Sequence, residues 1–275
     1  TTCCERGASA VKRIAMVVHS EKPLATEAAT SLASACVERG VEAIPVATDD
    51  LPNEVEAVVG VGGDGTVLRA AALAMAADLP VAGINVGRVG YLAEFATDEI
   101  DAFVDAIAGS RLRVFSVMTV GVRGPDFEAT GINDVVIEKV VSERIIEIGV
   151  AINGNRFADY RTDGLIVATP IGSTAYSLSA GGPVVDPEVE ALVLTPIAPH
   201  SLLSRSLVVS PDAEIGVTVE IDRPARVNVD GREIAIVEPG AHVAVARGSP
   251  SVRFLTLDTH PFPQAVRHQF GLAHA

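Results

Sequence analysis

The feature that most limits how this 275-residue chain can fold is a change of hydrophobic period near residue 110. Before it, apolar and β-branched runs at residues 13–18, 41–46, 57–61 and 81–85 alternate with helical patterns at 24–39, 66–77 and 98–109. Fully apolar runs separated by helices are the pattern of parallel strands covered on both faces. Gly40 is placed to close the first helix and Thr97 to cap the third, with Asp98 and Glu99 at the positive end of its dipole. Residues 1–110 are therefore predicted to form an α/β domain with a parallel, Rossmann-like sheet.

After residue 110 helical patterns are scarce. Residues 112–122, 135–139, 144–152, 165–169, 207–209, 215–221 and 225–229 read as strands, and Asn153-Gly154 and Asp230-Gly231 sit between such runs. Both dipeptides suit type I' hairpin turns, which need positive φ at two successive positions. A mostly β, sandwich-like second domain is predicted over residues 111–257. The polar tail 258–275 is partly helical in pattern and is expected to pack back on the first domain. The chain shows neither an internal repeat nor a low-complexity linker.

A hydrophobic content of 48% supports one large core or two moderate ones and excludes a disordered chain. The uncharged run 164–185 is rich in Gly, Pro, Ser and Thr and makes a poor bilayer span. No leader pattern can be drawn over the first residues, so a cytoplasmic location is expected. Cys3, Cys4 and Cys36 form neither a disulfide framework nor a metal spacing and read as reduced bystanders. A net charge of −14 lacks the electropositive surface that nucleic-acid binding requires, yet leaves room for phosphates held by a few local donors.

The sharpest local motif is Gly62-Gly63-Asp64-Gly65-Thr66, set between an apolar strand and an Ala-rich helix. Glycines let a backbone approach a phosphate and aim amide donors at it, and the helix N-terminus adds partial positive charge. An ordinary strand-to-helix turn with Asp64 as a cap is the bland alternative; three glycines around one Asp favour a site. The motif is neither a Walker loop nor the dinucleotide fingerprint. A carboxylate in a phosphate cradle can accept a proton from an attacking hydroxyl or hold Mg²⁺, and the sequence leaves both roles open.

Gly-Gly-Asp-Gly-Thr resembles the signature shared by NAD kinases and diacylglycerol-type lipid kinases. The order and spacing of the later segments are similar to NAD kinases alone. These are the Gly- and Val-rich stretch 83–92, Asn133-Asp134, residues 162–176, residues 179–183, residues 196–200 and Asp230-Gly231-Arg232. The resemblance implies ATP- and Mg²⁺-dependent phosphorylation of the 2'-hydroxyl of NAD's adenosine ribose, giving NADP. It implies that Asp64 is the catalytic carboxylate, within the cradle Gly62, Gly63, Gly65 and Thr66. Asn133 and Asp134 are implied on the NAD ribose, and Asp163, Thr174, Ala175, Tyr176 and Ser179 around the adenine or nicotinamide ends. These residue types fit, since amides and carboxylates bind hydroxyls and a tyrosine offers a stacking face. The resemblance further implies a homo-oligomer, a dimer or tetramer, and a phosphoryl donor that is ATP, another triphosphate or polyphosphate. NAD and ATP are the expected partners, with no nucleic acid and no membrane.

Several positions carry competing readings. Asn133-Asp134 and residues 162–164 also suit plain turns, and residues 172–179 a capped helix. Asp230 is explained by its hairpin but is assigned to the site. Arg88, after a Gly-flanked turn, is placed to reach a phosphate, although solvated arginines are common. Tyr91 offers one ring where relatives often stack adenine. His200 has no neighbour at ligand spacing, so no zinc site is expected. Ile171 stands where the family usually has a hydroxyl residue, so any hydrogen bond from that hydroxyl must come from elsewhere. A lipid kinase would need the later segments to match by chance. A non-catalytic NAD(P)-binding sensor is argued against by the retained Asp64.

Overall fold

The computed structural model describes residues 11–47, 50–87, 92, 94–142, 144–200, 202–220, 223–257 and 262–272. The chain divides into two compact units, residues 1–117 with 252–275, and residues 118–251.

The first unit is built on a mixed sheet. Its strands run in the order Glu42–Pro45, Arg13–Val18, Ala57–Gly62, Val81–Asn85, Val252–Thr256 and Arg113–Val117, and Phe95–Ala96 also pairs with Val81–Asn85. The first four strands are mutually parallel, as the alternation of strand and helix predicts. Val252–Thr256 joins them in parallel, but Arg113–Val117 pairs antiparallel to it, so the sheet is not purely parallel. Every residue of Ala57–Gly62 and Val81–Asn85 is buried, because helices cover both faces. Leu32 of helix Pro23–Glu38 and Phe103 of helix Ile100–Ala108 join Met16, Val59 and Ile84 in one core. On the opposite face, helix Asp64–Ala76 lies so close to the sheet that a Cβ on Gly60 would stand 2.9 Å from the Cα of Val67.

Alternate residues of two six-stranded antiparallel sheets form the core of the second unit. One sheet has the order Asn155–Thr162, Ile146–Ile152, Ile215–Val219, His242–Arg247, Val120–Arg123, Glu128–Gly131. The other runs Leu207–Val209, Leu192–Ile197, Gly164–Ala168, Asp134–Lys139, Ala225–Val229, Arg232–Val237. Ile148, Val217 and Val245 of the first pack on Val135, Leu165 and Val227 of the second, which makes a sandwich. Both expected hairpin turns are present, with φ of 51° and 76° at Asn153-Gly154 and 49° and 76° at Asp230-Gly231.

Local readings need correction in two places. Residues 112–122, expected as one strand, form Arg113–Val117 and Val120–Arg123, which pair in different sheets. By contact the first unit extends to Val117 and takes in Val252–Thr256, a division that differs from the expected domains 1–110, 111–257 and 258–275. The third helix starts as a 3-10 turn at Thr97–Glu99, where the Ala96 N–H donates to the Glu99 carboxylate at 2.8 Å; Thr97 is not the cap. Cys36 is buried, which pushes its thiol up to about 11 and leaves it unreactive at neutral pH. Cys3 and Cys4 lie outside the described residues.

Candidate active site

In the first unit the strand order reverses between Arg13–Val18 and Ala57–Gly62. The chain leaves the former toward Glu42–Pro45 on one side and returns to place Ala57–Gly62 on the other. Such a reversal leaves a crevice beyond the carboxyl ends of the two strands, where open α/β sheets bind ligands. A cleft of about 500 Å³ lies there, lined by Val18, His19, Ser20, Glu21, Lys22, Gly63, Asp64, Gly65, Thr66 and Arg69. The cradle residues are thus brought together, along with a strand-to-helix loop at 19–22 that was not anticipated. The signal for it was modest: polar residues between a buried strand and Pro23, which opens the next helix at its first turn.

The glycines of the cradle differ in what they do. A Cβ on Gly62 would stand 2.4 Å from the Thr66 hydroxyl, so packing within the turn requires this glycine. Gly63 and Gly65 would meet nothing within 4 Å, so their bare backbone faces open space. Gly63 caps helix Asp64–Ala76 without a side chain; its carbonyl accepts from the Thr66 and Val67 N–H groups, which leaves the Asp64 and Gly65 amides to face an anion. Asp64 is half-exposed at that N-terminus, where one Oδ accepts from the Leu92 N–H at 3.4 Å. Thr66 is nearly buried and shapes the turn. Arg88 and Tyr91 lie outside the described residues.

A separate constellation occupies the second unit. Asn133-Asp134 forms a sharp corner leading into strand Asp134–Lys139. Asp230 accepts at its two carboxylate oxygens from the N–H groups of Ile132 at 2.8 Å, Asn133 at 2.7 Å and Asp134 at 3.2 Å. The Thr169 hydroxyl donates to the Ile132 carbonyl at 2.7 Å, and a Cβ on Gly172 would stand only 1.9 Å from the Asn133 carbonyl oxygen. Asp134 is 4% exposed and, among the described residues, its carboxyl has no side-chain hydrogen bond; burial and the neighbouring Asp230 push it up to about 7. Burial raises Asp230 as well, opposed by its three N–H donors and by Arg232.

Asp163 and Tyr176 meet at a pocket of about 210 Å³ that Glu138, Lys139, Val140, Ser142 and Ile197 also line. Lys139 donates to Asp163 at 2.6 Å, a partner that spacing alone did not suggest. Burial, then the carboxylates of Glu138, Asp163 and Asp134, raises the Tyr176 phenol, which therefore stays neutral and offers a half-exposed ring. The segment 172–179, for which one capped helix was the competing reading, is a 3-10 turn, Ile171–Thr174, followed by the short helix Tyr176–Ser179. Thr174 turns its hydroxyl back to the Ile171 carbonyl at 3.1 Å, Ala175 links the two pieces, and Ser179 is exposed. The Thr169 hydroxyl accepts from the Gly172 N–H at 3.0 Å and so caps this turn without a hydroxyl at 171. Ile171 is buried instead. His200 is exposed, and among the described residues no three His, Cys, Asp or Glu side chains gather as metal ligands.

Comparison with known proteins matches two family models to this chain. The model of the ATP-NAD kinase N-terminal domain matches residues 5–111, and that of the ATP-NAD kinase C-terminal domain matches residues 132–257. This chain belongs to the NAD kinase family. It is 36% identical to NAD kinase 2 of Streptomyces coelicolor over 95% of both chains, and 40% identical to NAD kinase 2 of Streptomyces avermitilis over 84% of this chain and 79% of that one. An NAD kinase from Archaeoglobus fulgidus solved in complex with ATP superposes with a TM-score of 0.77 at 28% identity, covering 94% of this chain and 97% of that one. Yeast NADH kinase complexed with NADH shares the fold, with a TM-score of 0.85 at 20% identity over 97% of this chain and 89% of its own. The protein is accordingly an enzyme, an NAD kinase that uses ATP, and nothing supports the lipid-kinase or sensor alternatives.

Proposed function

We propose that the Gly62–Thr66 cradle receives the donor phosphates and that Asp64 takes the proton from the 2'-hydroxyl of NAD as that oxygen attacks the γ-phosphorus. The new P–O bond forms on the ribose, the bond to the β,γ-bridging oxygen breaks, and NADP and ADP leave with the proton on Asp64. A ribose hydroxyl is a poor nucleophile, and a positioned base contributes on the order of 10² to 10⁴ in rate. The observation that carries this reading is the cradle itself: two glycines facing open space at a helix N-terminus, at the point where the strand order reverses, with one carboxylate inside. Lys22 and Arg69 add cationic groups to the same cleft, which His19 also lines.

Magnesium fits as a companion of the nucleotide. The ion favours phosphate oxygens, water and one or two carboxylates over an all-protein cage, and Glu21, which lines the cleft beside Asp64, is the further carboxylate that would hold it here. When bound it would neutralise charge on the transferring phosphoryl group. In the second unit, Asn133 and an ionised Asp134 bind the ribose hydroxyls of NAD, Tyr176 stacks on a base, and Asp163 receives polar groups at that pocket. The enzyme works as a homo-oligomer in the cytoplasm; exposed Ile234 and Ile236 on edge strand Arg232–Val237 support association, and no helix among the described residues is long and apolar enough to cross a membrane.

The test is NADP formation from NAD, ATP and Mg²⁺, coupled to an NADP-specific dehydrogenase, with inorganic polyphosphate as a second donor. Turnover that needs the metal and disappears in Asp64→Asn is expected. Turnover that survives Asp64→Asn undiminished contradicts the assignment. Light scattering on the active protein tests assembly, and a fully active monomer would contradict it.

A further inference from the structure

Asp230 occupies the first central position of a two-residue hairpin turn, with φ at 49°. Asp, Asn and Gly all reach that conformation, and a residue chosen only for it has no need of a side-chain partner. Asp230 has three. The N–H groups of Ile132, Asn133 and Asp134 lie 96 to 98 positions earlier in the chain, and all three converge on its carboxylate. The Asp230 N–H in turn donates to the Asp134 carbonyl at 3.1 Å. A Cβ on Gly131 would stand 2.7 Å from Val229 and 3.1 Å from an Asp230 oxygen, so the corner and the hairpin are pressed together.

We infer that Asp230 is a positioning residue for phosphoryl transfer: its carboxylate fills the nest of three successive amides at 132–134 and thereby fixes the Asn133 and Asp134 side chains for the acceptor nucleotide. This rests on the reading that those two side chains bind NAD. Both Asp230 oxygens are engaged by backbone donors, so it acts through the corner. The arrangement also sets charge. Three N–H donors favour the anion on Asp230, so while the buried pair holds one proton it resides on Asp134, and NAD binds the form in which Asp134 has lost it. The other groups facing the pair are Arg232, beside Asp230, and the neutral Tyr176.

The test is Asp230→Asn. Asn-Gly forms the same type of turn, so the hairpin survives, but the new amide group presents N–H to a backbone N–H and loses the charge. Losing charge-assisted hydrogen bonds should raise the KM for NAD about tenfold or more, with the KM for ATP nearly unchanged. Removing the Asp230 charge also lowers the Asp134 pKa, so the acid limb of kcat/KM for NAD moves to lower pH; a mere turn residue would not move it. Unchanged KM for NAD and an unmoved limb overturn the inference. Asn133→Ala runs in parallel: if it leaves the KM for NAD unaltered, the binding reading fails and the inference falls with it. An impaired Asn133→Ala beside a normal Asp230→Asn overturns the positioning role alone. If Asp230→Asn does not fold, amide exchange in the wild-type protein decides. Asn133 and Asp134 amides must exchange as slowly as those of strand Asp134–Lys139, and fast exchange overturns the inference.

Discussion

The cradle at Gly62–Thr66 and the corner at Asn133-Asp134 are built on opposite plans. The cradle is local and open: five consecutive residues, a helix N-terminus, and two glycines with nothing within 4 Å of an added Cβ. The corner is assembled from distant segments and closed: Asp230 on one side, Thr169 and Gly172 on the other, with the Asn133 carbonyl oxygen 1.9 Å from where a Gly172 Cβ would stand. An anion held by backbone amides needs bare backbone and free approach, whereas hydroxyls recognised by side chains need those side chains held rigidly beforehand. The same residue type, glycine, therefore has opposite meanings in the two places.

The contrast breaks or sharpens at single residues. Gly172→Ala drives a methyl into main chain, so a loss of about 3 kcal/mol is expected. For a chain of this size that lowers Tm by roughly 6 to 12 °C in a calorimetric scan. A normal Tm would mean the corner yields more easily than its packing implies. Asp134→Asn has the opposite sign at high pH. Because the folded Asp134 is raised to about 7 from an ordinary carboxylate value, its contribution to stability is present at low pH and lost as pH rises through about 7. The wild type should therefore lose stability between pH 5 and pH 8 relative to Asp134→Asn, by a few kcal/mol at most. At pH 8 the variant should melt higher and bind NAD worse, and parallel melting curves across that range would show that Asp134 does not carry the proton.

Gly63→Ala tests the open side. Its φ of −93° suits alanine and the added methyl meets no protein atom, so Tm should hold. A phosphate seated on that backbone would collide with the methyl, and the KM for ATP should rise about tenfold, a penalty of ~1.4 kcal/mol. The smallest effect belongs to Ile171→Thr. Thr169 already caps the following turn, so restoring a hydroxyl at 171 should change the KM for NAD by less than about twofold.

What the sequence disclosed follows the same division. The cradle was legible because strand, glycine turn and helix are contiguous, and both hairpins were legible because positive φ at Asn-Gly and Asp-Gly is a local requirement. Pairing across long separations was not. Residues 112–122 carry one apolar run, and nothing in that run marks where it leaves one sheet for another. The extent of strand Asn155–Thr162, the second arm of the Asn153-Gly154 hairpin, was not legible because most of its residues are polar and exposed on an edge of its sheet. Val252–Thr256 was read with the second domain because its parallel partner, Val81–Asn85, lies about 170 residues away in the chain. Asp230 could be read as a turn residue but not as an acceptor for amides 96 to 98 positions distant. The loop at 19–22 joins the cleft only because the strand order reverses beside it, a property of topology.

The division of labour between the two regions is tested most directly by titrating NAD into Asp64→Asn in a calorimeter. If the corner recognises the dinucleotide and the cradle carries out the transfer, the variant binds NAD with a Kd within about threefold of wild type while its turnover is lost. Loss of binding as large as the loss of turnover would contradict that division and make Asp64 part of the recognition of NAD.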